Sequence, residues 1–168
     1  MRLWDDDLEQ ARPQIRAESS EFVERMLAAG PATGSAQERV QAQKDWDSSW
    51  VIRSDRGTDR TIERPAGPIR LREFRPERVE GAMLQIHGGG WVSGEPEMTD
   101  LLNEALSRAL NIAIVSVDYR LAPEHPYPAG PDDCEAAALW LIDRAAEEYG
   151  TDPLVAPPAR ILTQQPRF

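Results

Sequence analysis

An α/β fold organised around a parallel sheet is what this sequence predicts, and three features predict it. From Thr99 onward helical and extended patterns alternate, as they do when strands are joined by crossover helices. The run Ile112-Ala113-Ile114-Val115-Ser116-Val117 is apolar and rich in β-branched residues, as expected of a parallel strand covered on both faces. The apolar stretch Ala82-Met83-Leu84-Gln85-Ile86 breaks directly into His87-Gly88-Gly89-Gly90-Trp91, so a buried strand ends in three glycines.

The elements follow in order. Ile15, Phe22, Val23, Met26 and Leu27 recur at helical spacing, and Gly30-Pro31 ends that helix. Ser35 with Glu38 three residues later reads as a capping box opening a second, polar helix towards Trp46. Thr61-Ile62-Glu63 and Ile69-Arg70-Leu71-Arg72 flank Pro65-Ala66-Gly67-Pro68, which predicts a hairpin whose second strand Arg75-Pro76-Glu77 closes. Thr99 or Asp100 caps a helix whose inward face is expected to be Leu102, Ala105, Leu106, Ala109 and Leu110. Asp132 and Glu135 form another capping box. The helix it opens carries Cys134, Ala138, Leu141, Ala145 and Tyr149 on one side and stops at Gly150. Arg160-Ile161-Leu162-Thr163 begins a further strand.

Composition narrows the function classes. The 168 residues are 40% hydrophobic and 29% charged, enough for one domain with a core and against wholesale disorder. A formal net charge of −10 argues against a nucleic-acid surface, which needs clustered Lys and Arg. No stretch approaches the ~20 apolar residues of a membrane span, and Met1-Arg2-Leu3-Trp4-Asp5-Asp6-Asp7 is charged, without an apolar leader core. A cytoplasmic protein is expected. Cys134, the only cysteine, excludes an internal disulfide and a Cys-rich zinc site; on a helix face among alanines and leucines it reads as inert core.

The glycine run carries the chemistry. Without Cβ atoms the backbone can approach a ligand closely, and free N–H groups in such a loop can converge on a developing oxyanion. A phosphate-binding loop is excluded because no Gly-Lys-Ser/Thr follows. A dinucleotide fingerprint is excluded because Ser93 stands where its last glycine should be. Metal chemistry lacks ligands beyond scattered carboxylates.

The His-Gly-Gly-Gly block resembles the oxyanion loop of α/β-hydrolase esterases and lipases. In the correct order and spacing, Ser116-Val117-Asp118-Tyr119-Arg120-Leu121-Ala122-Pro123-Glu124-His125-Pro126-Tyr127-Pro128-Ala129 resembles the segment after the fourth strand of hormone-sensitive-lipase-like carboxylesterases. The resemblance runs from about Leu3 to Ile161. It implies the N-terminal part of an α/β-hydrolase sheet, an antiparallel hairpin followed by parallel strands with flanking helices. It divides the chain into an N-terminal helical cap segment (1–50) and an incomplete hydrolase core (51–168). Residue patterning alone leaves open whether the first helices form a cap or merely cover the sheet. By resemblance, Gly88 and Gly89 supply oxyanion-hole N–H groups, His87 and Gly90 order the loop, and Trp91 lines the substrate cleft. A small-molecule ester is the implied substrate, with a serine acyl-enzyme mechanism and no cofactor.

The rest of that machinery is missing from these residues. A Gly-x-Ser-x-Gly elbow should follow the fifth strand, yet Arg160-Ile161 runs into Gln164-Gln165-Pro166-Arg167-Phe168 and the pattern is truncated. Ser93 has Trp91, not glycine, two places before it; Ser35 directly follows Gly34; Ser116 lies inside a strand. Both histidines, His87 and His125, already sit in structural motifs. Asp118 and Arg120 read as a structural pair, Glu124 and His125 as part of a proline-stiffened turn, and Tyr119 as a packed aromatic. Two functions therefore stay open: a carboxylic ester hydrolase completed by residues beyond these, or an inactive fragment acting as a binding module. The strand at Ala82 to Ile86, left at a sheet edge, would pair with a second copy or a complementing C-terminal fragment.

Overall fold

The computed structural model describes residues 33–151 and scattered positions between 13 and 28. The chain separates into two compact units, Met1–Arg39 and Val40–Phe168. The scattered early positions are helical; the rest of the helix expected over Ile15 to Leu27, and the strand expected at Arg160, lie outside the described residues.

The capping box opens helix α1 (Ala36–Ser48) as expected. Ser35 N–H donates to Glu38 Oε2 at 2.7 Å and Glu38 N–H to Ser35 Oγ at 3.2 Å, satisfying two orphan amides reciprocally. This helix buries none of its residues. Strands β1 (Thr58–Ile62) and β2 (Ile69–Phe74) pair antiparallel with Ile62 opposite Ile69. Their connection turns where Gly67 N–H donates to Arg64 O at 3.1 Å.

Strand β3 (Gly81–Ile86) leads into the glycine run. A 3₁₀ turn (Pro96–Thr99) and helix α2 (Asp100–Leu110) then cross to β4 (Ile112–Val117), and helix α3 (Ala129–Tyr149) follows. The sheet order is β1-β2-β4-β3, with β4 antiparallel to β2 and parallel to β3. Strand β4 is buried along its whole length, as its unbroken apolar run requires. Ala113, Val115 and Val117 join Leu71, Ala82, Ala137 and Leu141 in a core under α3. Ile112 and Ile114 join Phe74 in a smaller cluster on the other side, where Leu106 of α2 packs.

Two helices depart from expectation. The inward face of α2 is Asp100, Asn103 and Ser107, while Leu102 and Leu110 are 58% and 55% exposed. The sheet decides this. Its α2 side presents Arg72, the Ser116 hydroxyl and the carbonyls of Phe74 and Ile112, and buried polar groups must be paired. Asp100 takes Arg72, Asn103 Nδ2 donates to Ser116 Oγ at 3.0 Å, and Ser107 Oγ lies 3.2 and 2.8 Å from the two carbonyl oxygens. Polar matching overrides the apolar stripe. Helix α3 starts at Ala129, ahead of the expected Asp132–Glu135 box, and has no side-chain cap. Pro131 falls in its first turn, where a missing N–H costs nothing, so it does not delay the helix. Of the expected inner face, Cys134, Leu141, Ala145 and Tyr149 are buried and Ala138 is half-buried, and Gly150 ends the helix with φ 69°.

Candidate active site

The glycine run sits at the C-terminal end of β3, beside the end of β4, and its conformation is set residue by residue. Gly89 has φ 120°, and a Cβ there would lie 2.0 Å from Ser93 O, a position only glycine can hold. Ser93 N–H and Val92 N–H both donate to Gly89 O, at 3.1 and 3.2 Å, and Ser93 Oγ donates to it at 3.1 Å. The loop therefore coils on itself around Gly89. A Cβ at Gly88 or Gly90 would meet nothing within 4 Å, so that side of the loop is open.

His87 is 4% exposed and anchors the loop's start. Its Nδ1 lies 2.8 Å from Gly88 O, and a neutral ring with its hydrogen on Nδ1 donates this bond. The ring stacks on Tyr119 with centroids 4.2 Å apart, and Tyr119 Oη donates to His87 O at 2.9 Å. Burial pushes the Tyr119 phenol up to about 12, so it remains a donor. Gly94, at φ 100°, completes the clamp: a Cβ there would lie 2.4 Å from Gly88 O and 2.5 Å from His87 Nδ1. Trp91, a non-glycine residue at φ 67°, is 36% exposed. Its ring leans on Tyr119 with centroids 5.0 Å apart and lies against Gly130 of α3.

A charged frame surrounds this clamp. Arg70 of β2 holds Glu97 through Nη1 at 2.7 Å and Asp118 through Nε at 2.9 Å, joining the 3₁₀ turn to the segment after β4. Arg120 holds Asp133 of α3 through Nη2 at 2.8 Å, and Arg64 meets the same carboxylate. Asp118 and Arg120 are thus both structural, but each pairs elsewhere. Asp118 is taken by Arg70 of β2 and Arg120 by Asp133 of α3, so the expected mutual pair does not form. Glu124 is tied to Lys44 at 2.8 Å. Cys134 is buried, and burial first, with Asp133 adding, pushes its thiol up to about 12.

The sequence reading missed Gly94, Gly130 and Arg70 as parts of this site. Only the positive φ of Gly94 and the contact of Gly130 with Trp91 reveal their roles, and neither leaves a pattern in one sequence. Among the described residues no group of acids, His and Cys is placed to hold a metal ion.

His87 gives the site a pH signature. Burial pushes its imidazole below the ordinary value, against the opposing pull of the Gly88 bond and of Asp118, Glu95 and Glu97. The unfolded chain therefore takes up a proton near pH 6.5 that the folded protein refuses. Stability is full above that pH and falls as the pH drops through it. Urea midpoints at about pH 7.5 and about pH 5.5 should differ, and His87→Gln should shrink the difference. A difference unchanged in His87→Gln would place the effect in other groups.

Comparisons with known proteins bear on the fold. Residues 83–156 match the model of the alpha/beta hydrolase fold family. The carboxylic ester hydrolase LipN of Mycobacterium tuberculosis is 42% identical over 98 residues, 57% of this chain and 26% of that protein. Carboxylesterase NlhH of the same species is 52% identical over 71 residues, 42% of this chain and 22% of that protein. Among solved structures, an arylesterase superposes with TM-score 0.66 at 28% identity, covering 79% of this chain and 46% of its own. The carboxylesterase EstE1, cloned from a metagenomic library, gives TM-score 0.59 at 37% identity, covering 71% and 42%. The chain thus spans about a quarter of these curated relatives and under half of these solved structures. No helix among the described residues is long and apolar enough to cross a membrane. With its mixed sheet and its glycine loop after β3, the chain matches the alpha/beta hydrolase fold over residues 83–156 and is similar to part of several carboxylic ester hydrolases.

Proposed function

We propose that this chain supplies the oxyanion-hole half of a carboxylic ester hydrolase acting on small-molecule esters. The observation that carries the reading is the loop itself: locked at Gly89 by Ser93, clamped by His87, Tyr119 and Gly94, and open at Gly88. In this role the Gly88 and Gly89 N–H groups face the substrate carbonyl as a serine attacks it and negative charge gathers on its oxygen. Each such donor lowers the barrier by roughly 3–4 kcal/mol, because it is oriented before the charge appears. His87 and Gly90 hold the loop, and Trp91 lines the acyl side. His87 is no general base here, since its ring is buried and its Nδ1 is engaged by Gly88 O.

A serine in a Gly-x-Ser-x-Gly elbow, an acid and a base histidine must come from residues other than these 168, because no serine of this sequence has that setting. They come from a continuous or a complementing C-terminal segment, whose strands add to β3, an edge strand among the described residues. The purified chain should give no p-nitrophenyl butyrate hydrolysis above buffer. Joined to the C-terminal half of a related carboxylesterase, it should turn over. Enzyme-like turnover by the chain alone would show that its nucleophile lies within these residues. A folded but inert fusion would remove the oxyanion assignment and leave a binding module.

A further inference from the structure

A cavity of about 590 Å³ opens at the end of the sheet opposite the glycine loop. It lies where β2 ends and β4 begins, so about 17 Å of strand separates it from the loop. Arg56, Arg75, Arg78 and Arg108 line it, against two acids, Glu77 and Glu104. This is a local excess of positive charge in a chain with 29 acidic and 19 basic residues.

The acids present do not use up these guanidinium groups. Glu104 is shared between Arg56 Nε at 3.2 Å and Arg108 Nη1 at 3.7 Å, and also accepts from Ser54 Oγ at 2.6 Å. Arg78 pairs with Glu80 at 3.0 Å, an exposed pair that a ligand can displace at little cost. Arg75 lies over the ring of Tyr149, 5.6 Å from its centroid, and among the described residues no carboxylate is within ion-pair distance of it. The C-terminal end of α2 also faces the cavity and opposes an anion through its carbonyls. That opposition is blunted because Asn111 N–H caps Ser107 O.

We propose that this cavity binds a phosphate ester of a small organic molecule, at a site separate from the glycine loop. Arginine forks take phosphate oxygens two at a time, which a point-charge lysine does not. The volume falls in the range of small-molecule sites and exceeds what a bare phosphate fills, and Pro76 adds apolar wall for an organic group.

Calorimetric titration of the full chain with phenyl phosphate, with phenol as the uncharged control, tests this in phosphate-free buffer. Saturable binding of phenyl phosphate and none of phenol is expected. Arg75→Gln and Arg108→Gln should each weaken it about tenfold, as loss of a charge-assisted contact does. Arg144→Gln, an exposed arginine on α3 paired with Glu147, should leave it unchanged. Thermal melts of each variant confirm that these exposed substitutions leave the chain folded. No saturation up to about 10 mM, or equal weakening by Arg144→Gln, would overturn the proposal. Neither outcome bears on the esterase reading.

Discussion

Replacing Asp100 with alanine is expected to cost about 3–5 kcal/mol of folding stability, a large part of what a domain of this size has. Asp100 is fully buried; it accepts from Arg72 Nε at 2.8 Å, from Arg72 Nη2 at 2.6 Å and from Ser54 N–H at 2.9 Å. Alanine leaves the Arg72 guanidinium, 8% exposed, without its main partner in a place water does not reach. The cost comes from that stranded charge rather than from the intrinsic strength of the pair. Arg72→Met combined with Asp100→Leu should therefore recover most of the loss, since it removes both charges and keeps the volume. Glu80→Ala, which breaks the exposed pair with Arg78, should cost less than about 1 kcal/mol. Urea unfolding of the four proteins gives all these values. A loss of under about 1 kcal/mol for Asp100→Ala alone would mean that this pair does not hold α2 to the sheet.

The same pair explains where sequence reading succeeded and where it failed. Strand β4 was legible because six consecutive residues, all buried, leave only one environment. The capping box of α1 was legible because Ser35 and Glu38 form it within four residues, with no help from elsewhere. The face of α2 was not. Its leucines at helical spacing promise an apolar face, but Arg72, 28 residues earlier, and Ser116, 13 residues later, supply the partners that turn Asp100 and Asn103 inward. Periodicity reads one element at a time, and polar matching is decided between elements. The glycine run likewise announced itself, whereas Tyr119, 32 residues away, became its anchor only once β3 and β4 lay side by side.

That distinction also fixes which glycine of the run matters for which reason, and it gives the second large effect. Gly89→Ala should lower the stability of the chain by about 1–3 kcal/mol, because it asks an L residue to adopt φ 120° with its methyl 2.0 Å from Ser93 O. The loop can relieve the clash only by uncoiling from Ser93, which in the proposed role turns the Gly88 and Gly89 amides away from the substrate carbonyl. In a fusion completed with a serine, an acid and a base histidine, kcat should fall at least about a hundredfold, with a smaller change in KM, as for loss of an oxyanion donor. Gly88→Ala is the contrasting case. Its Cβ meets nothing within 4 Å and Gly88 does not have a positive φ, so the chain should melt within about 1 kcal/mol of the parent. Any fall in turnover then reports a methyl placed where the ester carbonyl approaches, with the backbone unchanged. Loss of activity in both variants, with loss of stability in Gly89→Ala alone, is the pattern an oxyanion loop requires. A Gly89→Ala protein that melts and turns over like the parent would show that the coil around Ser93 positions nothing.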